Sequence, residues 1–115
     1  MNTNQGKGLN KLASALAFLN SIDPERGVYV HHLEVLLFIN EFDSVTYKQI
    51  EENFNITNAS VSRTVCTLSE NASHRETSYG FIEKFIDPRE GRRYRVRTIK
   101  KGKSVIRALE GIMGE

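Results

Sequence analysis

From Gly8 to Ile22 the apolar residues Leu9, Leu12, Ala13, Leu16, Leu19 and Ile22 recur at steps of three and four. That spacing predicts one face of an α-helix. Asp23-Pro24-Glu25-Arg26-Gly27 ends it, because a proline disfavours helix at the residue before it and glycine suits a turn. A second helix is predicted from about Val28 to Asn40, with Leu33, Leu36, Leu37 and Asn40 on one face and Val35, Phe38 and Ile39 widening it. An apolar surface that broad predicts a central helix touched by several others. Asp43 and Ser44 turn the chain, and Val45 falls in a short strand.

The next pattern is two short helices in tandem. Thr46-x-x-Gln49 has the form of a capping box for a helix over Tyr47 to Asn53, with Ile50 and Phe54 on its inner face. Asn55 tolerates the left-handed backbone of a tight turn. Thr57 then caps a helix from Asn58 to about Glu70, with Val61, Val65 and Leu68 as the buried stripe. At about 100° per residue, the outer half holds Ala59, Ser62, Arg63, Cys66 and Thr67, with Asn58 and Ser60 near its N-terminal edge.

Asn71 to Tyr79 is polar and reads as a loop. Gly80 to Ile86 reads as a strand whose apolar pattern is too dense to assign faces. Asp87-Pro88-Arg89-Glu90-Gly91 carries strong turn chemistry. Tyr94, Val96 and Thr98 then alternate with Arg93, Arg95 and Arg97, a strand with one basic face. A last helix runs from Lys101 to Met113. The fold class is therefore mainly α (α+β): a winged helix-turn-helix whose wing, about residues 81–99, has two to three strands. Residues 1–7 are expected to be disordered, and 8–115 to form one domain with flanking helices at 8–22 and 101–113.

Charge adds to this picture by its distribution. From Asp87 to Arg107 there are nine Lys or Arg against two acids; from Met1 to Ile86 there are seven against ten. A basic segment on a slightly acidic body suggests a polyanion contact, with a solvated face as the alternative. Arg89, Arg92, Arg93, Arg95 and Arg97 repel one another on one ribbon, and phosphates would relieve that. The small or polar outer residues of the second tandem helix allow close approach to a duplex. Arg63 suits either a guanine edge or a phosphate.

Asp87 through Arg93, followed by Val96-Arg97-Thr98-Ile99-Lys100-Lys101-Gly102, resembles the wing and exit of the MarR family of bacterial transcription regulators. The usual pattern there is DPRDGRR, then V-x-L-T-x-K-G. Ile56-Thr57-Asn58-Ala59-Ser60-Val61-Ser62-Arg63-Thr64-Val65 similarly resembles that family's recognition helix, often L-S-x-x-T-V-S-R-x-V. The likeness runs from about Val45 to Leu109. It implies that Arg89 reaches a minor groove with Asp87 orienting it, and that Thr57 to Arg63 and Thr67 meet the major groove. Three departures stand out. The loop from Asn71 to Tyr79 is long, Thr98-Ile99 replaces the usual Leu-Thr order, and the chain ends at Glu115 where members continue into a long dimerisation helix.

The function expected is that of a sequence-specific double-stranded DNA-binding transcription regulator. Its recognition helix, about 57–70, would contact DNA through Thr57, Asn58, Ala59, Ser60, Ser62, Arg63 and Thr67. Its wing would contact DNA through Asp87, Arg89, Arg92, Arg93 and Arg95. A homodimer through helices 8–22 and 101–113 and a cytoplasmic location are expected, with no membrane contact. Two other readings stay open: a winged-helix protein-interaction module, and a replication or packaging DNA-binding protein of a mobile element. No phosphate loop, nucleophile elbow or paired metal motif is present, so no enzyme, cofactor or metal is expected. His31 and His32 are adjacent in a helix and point about 100° apart, which suits no shared ion. Cys66 is expected to be a partly buried, inert thiol, with a redox-sensing thiol as the alternative.

Overall fold

A computed structural model describes residues 7–25, 27–69, 79–91 and 93–114. These form α1 (Lys7–Ile22), α2 (Val30–Asn40), β1 (Val45–Thr46), α3 (Tyr47–Phe54), α4 (Asn58–Leu68), β2 (Ile82–Ile86), β3 (Tyr94–Thr98) and α5 (Lys100–Met113), with a 3-10 turn at Pro88–Glu90. Of the segment expected to be disordered, residues 1–6 lie outside the described residues and Lys7 begins α1; of the expected 71–79 loop, residues 71–78 lie outside them and Tyr79 is described. The three strands are antiparallel in the order β1-β3-β2. Val45 lies opposite Val96, and Ile82, Lys84 and Ile86 lie opposite Thr98, Val96 and Tyr94.

The core lies where α2 and α4 cover this sheet. Val35, Leu36, Ile39, Val45, Ile50, Val61, Leu68, Phe81, Ile82 and Val96 are all buried to within 1%. Two expectations about helix faces need correction. On α2 the fully buried residues are Val35, Leu36 and Ile39, while Leu37 is 41% exposed. The helix packs against β3, α4 and α5, so its covered side is centred on Val35 and Ile39. It also starts at Val30 instead of Val28, because Tyr29 keeps an extended backbone at the N-cap. On α1 the covered side holds Ala15, Leu19, Phe18 and Ile22, and the stripe Leu9, Leu12 and Leu16 faces outward. Among the described residues, α1 is covered on one side, chiefly by α5.

Phe81 ties three elements together. Its N–H donates to the Leu68 carbonyl at the end of α4 at 2.8 Å, and its carbonyl accepts the Ile99 N–H at 3.0 Å, just before α5. Its ring stacks on Tyr79, whose hydroxyl donates to the Gly27 carbonyl at 2.9 Å. The departure at Thr98-Ile99 has its consequence here. The N-cap of α5 is Ile99, which provides no side-chain cap, and the Thr98 hydroxyl is buried with no partner among the described residues. Replacing both, Thr98→Val with Ile99→Thr, removes the stranded hydroxyl and supplies the cap. The double variant is expected to gain about 2 kcal/mol, seen as a rise in Tm of about 8 °C. An unchanged Tm would show that the helix entry tolerates the reversed order at no cost.

Candidate nucleic-acid interface

The helix-turn-helix is held by local chemistry. The Thr46 hydroxyl accepts the Gln49 N–H at 3.1 Å, and the Gln49 side-chain oxygen accepts the Thr46 N–H at 2.8 Å. This capping box starts α3. Asn55 ends it in the left-handed conformation, φ 55°, its N–H returning to the Glu51 carbonyl. Thr57 accepts the Ser60 N–H at 3.1 Å and starts α4. Val61, Thr64, Val65 and Leu68 point inward. Thr57, Asn58, Ala59, Ser62 and Arg63 are exposed, and Ser60, Cys66 and Thr67 are half-buried. Two of these polar groups are engaged internally. The Asn58 amide donates to Glu51 at 2.9 Å, and the Thr67 hydroxyl donates to the Arg63 carbonyl at 3.1 Å.

The wing turn is pinned by Asp87, a buried carboxylate that accepts the Arg89 N–H at 2.9 Å. The Asp87 N–H donates to the Arg93 carbonyl at 3.1 Å, closing the loop. Gly91 supplies the positive φ of 74° that the loop requires. Arg89 stands at the tip with its side chain 90% exposed and Nε 3.7 Å from the Asp87 carboxylate, a distance too long and too wet to hold it. Arg92 lies outside the described residues.

The expected alternation of β3 is present, yet its outer arginines are used by the fold. Arg95 donates to the Ser44 hydroxyl at 2.8 Å and to the Ser44 carbonyl at 3.2 Å, bracing the sheet against the chain before β1. Arg97 pairs with Glu83 at 2.5 Å and lies over the Phe85 ring. Much of the like-charge repulsion expected along this ribbon is thus answered within the protein.

Between α3 and the start of α4 on one side and the hairpin on the other runs a groove of about 460 Å³ lined, among the described residues, by Thr46, Tyr47, Lys48, Glu51, Asn58, Ser62, Lys84, Arg93 and Tyr94. Lys48, Lys84, Tyr47 and Tyr94 were not singled out by sequence reasoning. Lys84 stands between Ile82 and Ile86, opposite Val96, on a strand whose faces the sequence alone did not separate. Burial, then Tyr94 and Cys66, pushes the Tyr47 hydroxyl above the ordinary phenol value. Away from this groove, burial and then the neighbouring His31 hold His32 below the usual histidine value. Among the described residues no group of three His, Cys, Asp or Glu is placed to hold a metal, and no helix is long and apolar enough to cross a membrane.

No family model and no curated protein sequence matches the chain. Solved structures do. A cysteine-to-serine mutant of MarR from E. coli, complexed with operator DNA, matches with a TM-score of 0.64 and 16% identity, covering 90% of this chain and 69% of that one. Wild-type apo MarR from E. coli matches with a TM-score of 0.63 and 13% identity, covering 100% and 78%. A MarR-like transcriptional regulator from Thermotoga maritima matches with a TM-score of 0.61 and 21% identity, covering 96% and 74%. The chain has the winged helix-turn-helix fold of the MarR structures, as the resemblance in its wing and recognition helix led one to expect.

Proposed function

We propose that this chain is a sequence-specific double-stranded DNA-binding transcription regulator. The observation that carries the reading is the pairing of two elements across one groove: the capped α4 with an exposed polar edge, and a hairpin ending in a pinned turn with an exposed Arg89. Helix α4 would enter the major groove with Thr57, Asn58, Ala59, Ser60, Ser62, Arg63 and Thr67 toward the duplex. The wing would place Arg89 in the adjacent minor groove, and Arg92 and Arg93 would add wing charge for the phosphate backbone. Asp87 serves as the post that orients the turn. Arg95 braces the sheet and contributes less to DNA than its charge suggests. One MarR structure of this fold was solved with operator DNA, which supports the reading. Selection from a random duplex pool tests it: one enriched palindrome is expected, and a pool that stays random would overturn it.

We also propose a homodimer through α1 and α5. Leu9, Leu12 and Leu16 of α1 are 69%, 45% and 47% exposed, and Met113 of α5 is 44% exposed. Beside them lies an apolar groove of about 500 Å³ that also includes Leu33, Leu37 and Ile106. Exposed apolar surface in one contiguous region favours association, and a two-fold pair would present two wings and two recognition helices to a palindrome. Sedimentation is expected to give a dimer for the wild type and a folded monomer for Leu12→Glu with Leu16→Glu. A monomeric wild type at high micromolar concentration would contradict the dimer.

A further inference from the structure

We propose that the groove between the helix-turn-helix (α3 and the start of α4) and the hairpin is a phosphodiester seat, in which Lys48, Lys84 and Arg93 hold the DNA strand that separates the two grooves and Tyr94 positions Lys84. This rests on the DNA-binding reading; it gives a role to Lys48 and Lys84, which that reading leaves without one, and fixes the contact made by Arg93.

Among the described residues, three cations line this groove with a single carboxylate, Glu51. That carboxylate already accepts the Asn58 amide at 2.9 Å. Lys48, Lys84 and Arg93 make no ion pair among the described residues, whereas Arg97 is paired with Glu83 and Arg95 is bonded to Ser44. Among the described residues, the unanswered positive charge is therefore at this groove and at the wing tip, and not along the outer face of β3.

Lys84 is held in place. Its Nζ lies 4.6 Å from the centre of the Tyr94 ring, close enough for the ring face to attract the ammonium. The Tyr94 ring lies 6.1 Å from the Tyr47 ring of α3, which joins the two banks of the groove. The Ser62 hydroxyl on α4 adds a polar group to the lining. The ligand class follows from position. When a helix occupies the major groove and a hairpin the neighbouring minor groove, the backbone between those grooves passes between the two elements. A seat there touches phosphates and no base edges, so it sets affinity and register without reading sequence.

The test is the salt dependence of binding to the selected duplex. Lys48→Ala, Lys84→Ala and Arg93→Ala are each expected to weaken binding at moderate salt. Each should lower the slope of log K against log salt by about 1, with the preference for that duplex over a scrambled one unchanged. Lys84→Arg should retain the wild-type slope. Tyr94→Phe should retain it, and Tyr94→Leu should lose as much as Lys84→Ala, which a merely structural role for the hydroxyl would not produce. Thermal unfolding of each variant confirms that the fold is intact. Wild-type slopes in Lys84→Ala and Arg93→Ala, with duplex binding otherwise normal, overturn the seat alone. Absence of any duplex binding by the wild-type protein overturns both the seat and the reading beneath it.

Discussion

Gly102→Ala is expected to lower Tm by about 8 °C or more, through a loss of about 2 kcal/mol or more. Gly102 is buried in the first turn of α5. A Cβ there would fall onto the Phe81 carbonyl oxygen and 2.8 Å from the Thr98 side-chain methyl. That carbonyl cannot swing aside, because it accepts the Ile99 N–H while the Phe81 N–H is fixed to Leu68. Helix α5 would have to lift from the sheet. Alanine's better helix propensity opposes this with about 1 kcal/mol, less than contact with a fixed backbone atom costs. Gly111 in the same helix is the control, since nothing lies within 4 Å of a Cβ built there. Gly111→Ala is expected to raise stability by about 1 kcal/mol. Opposite signs at two glycines of one helix, read by thermal unfolding, would establish that Gly102 is required for close approach. Equal gains at both would contradict the packing described.

Arg89→Ala is expected to weaken binding to the selected duplex by about tenfold to a hundredfold without changing Tm. A side chain 90% exposed contributes almost nothing to folding. The turn keeps its shape in this variant, because Asp87 holds the backbone N–H of residue 89 and not the guanidinium. The whole effect therefore reports on the duplex. Arg63→Ala should behave differently. Arg63 is exposed on α4, where a base-edge contact is worth about 1–3 kcal/mol of discrimination. Its loss should relax the preferred sequence at one position of each half-site. If both variants bound with wild-type affinity at moderate salt, the wing and α4 would not be the DNA-contacting elements.

The features legible in the sequence are those fixed by near neighbours. Thr46 with Gln49, Asn55, and Thr57 as a cap each act over three or four residues, and each was recognisable from residue type and spacing; Asp87 was expected to orient the Arg89 side chain, and it holds the Arg89 backbone N–H instead. Where a second element decides, the spacing was silent. Periodicity found an apolar stripe on α1 but not which edge α5 would cover, so Ala15 and Phe18 went unnamed while Leu9, Leu12 and Leu16 lie outside. On α2 the sheet and α4 select Val35 and Ile39 over Leu37 for the same reason. The arginines of β3 looked alike in sequence. Their partners are Ser44, 51 residues away, and Glu83, 14 residues away, and only the strand pairing brings them together. The lysines of the groove were hidden for the converse reason. Lys48 and Lys84 come from α3 and β2, and each is an isolated cation in its own segment.

The central claim, that this winged helix reads DNA sequence, is tested most directly by comparing one affinity with another. The dissociation constant for the duplex enriched by selection is to be measured beside that for a scrambled duplex of the same length and composition, at physiological salt. The enriched duplex is expected to bind at least about a thousandfold more tightly. Equal affinities, or binding to neither duplex, would contradict the claim.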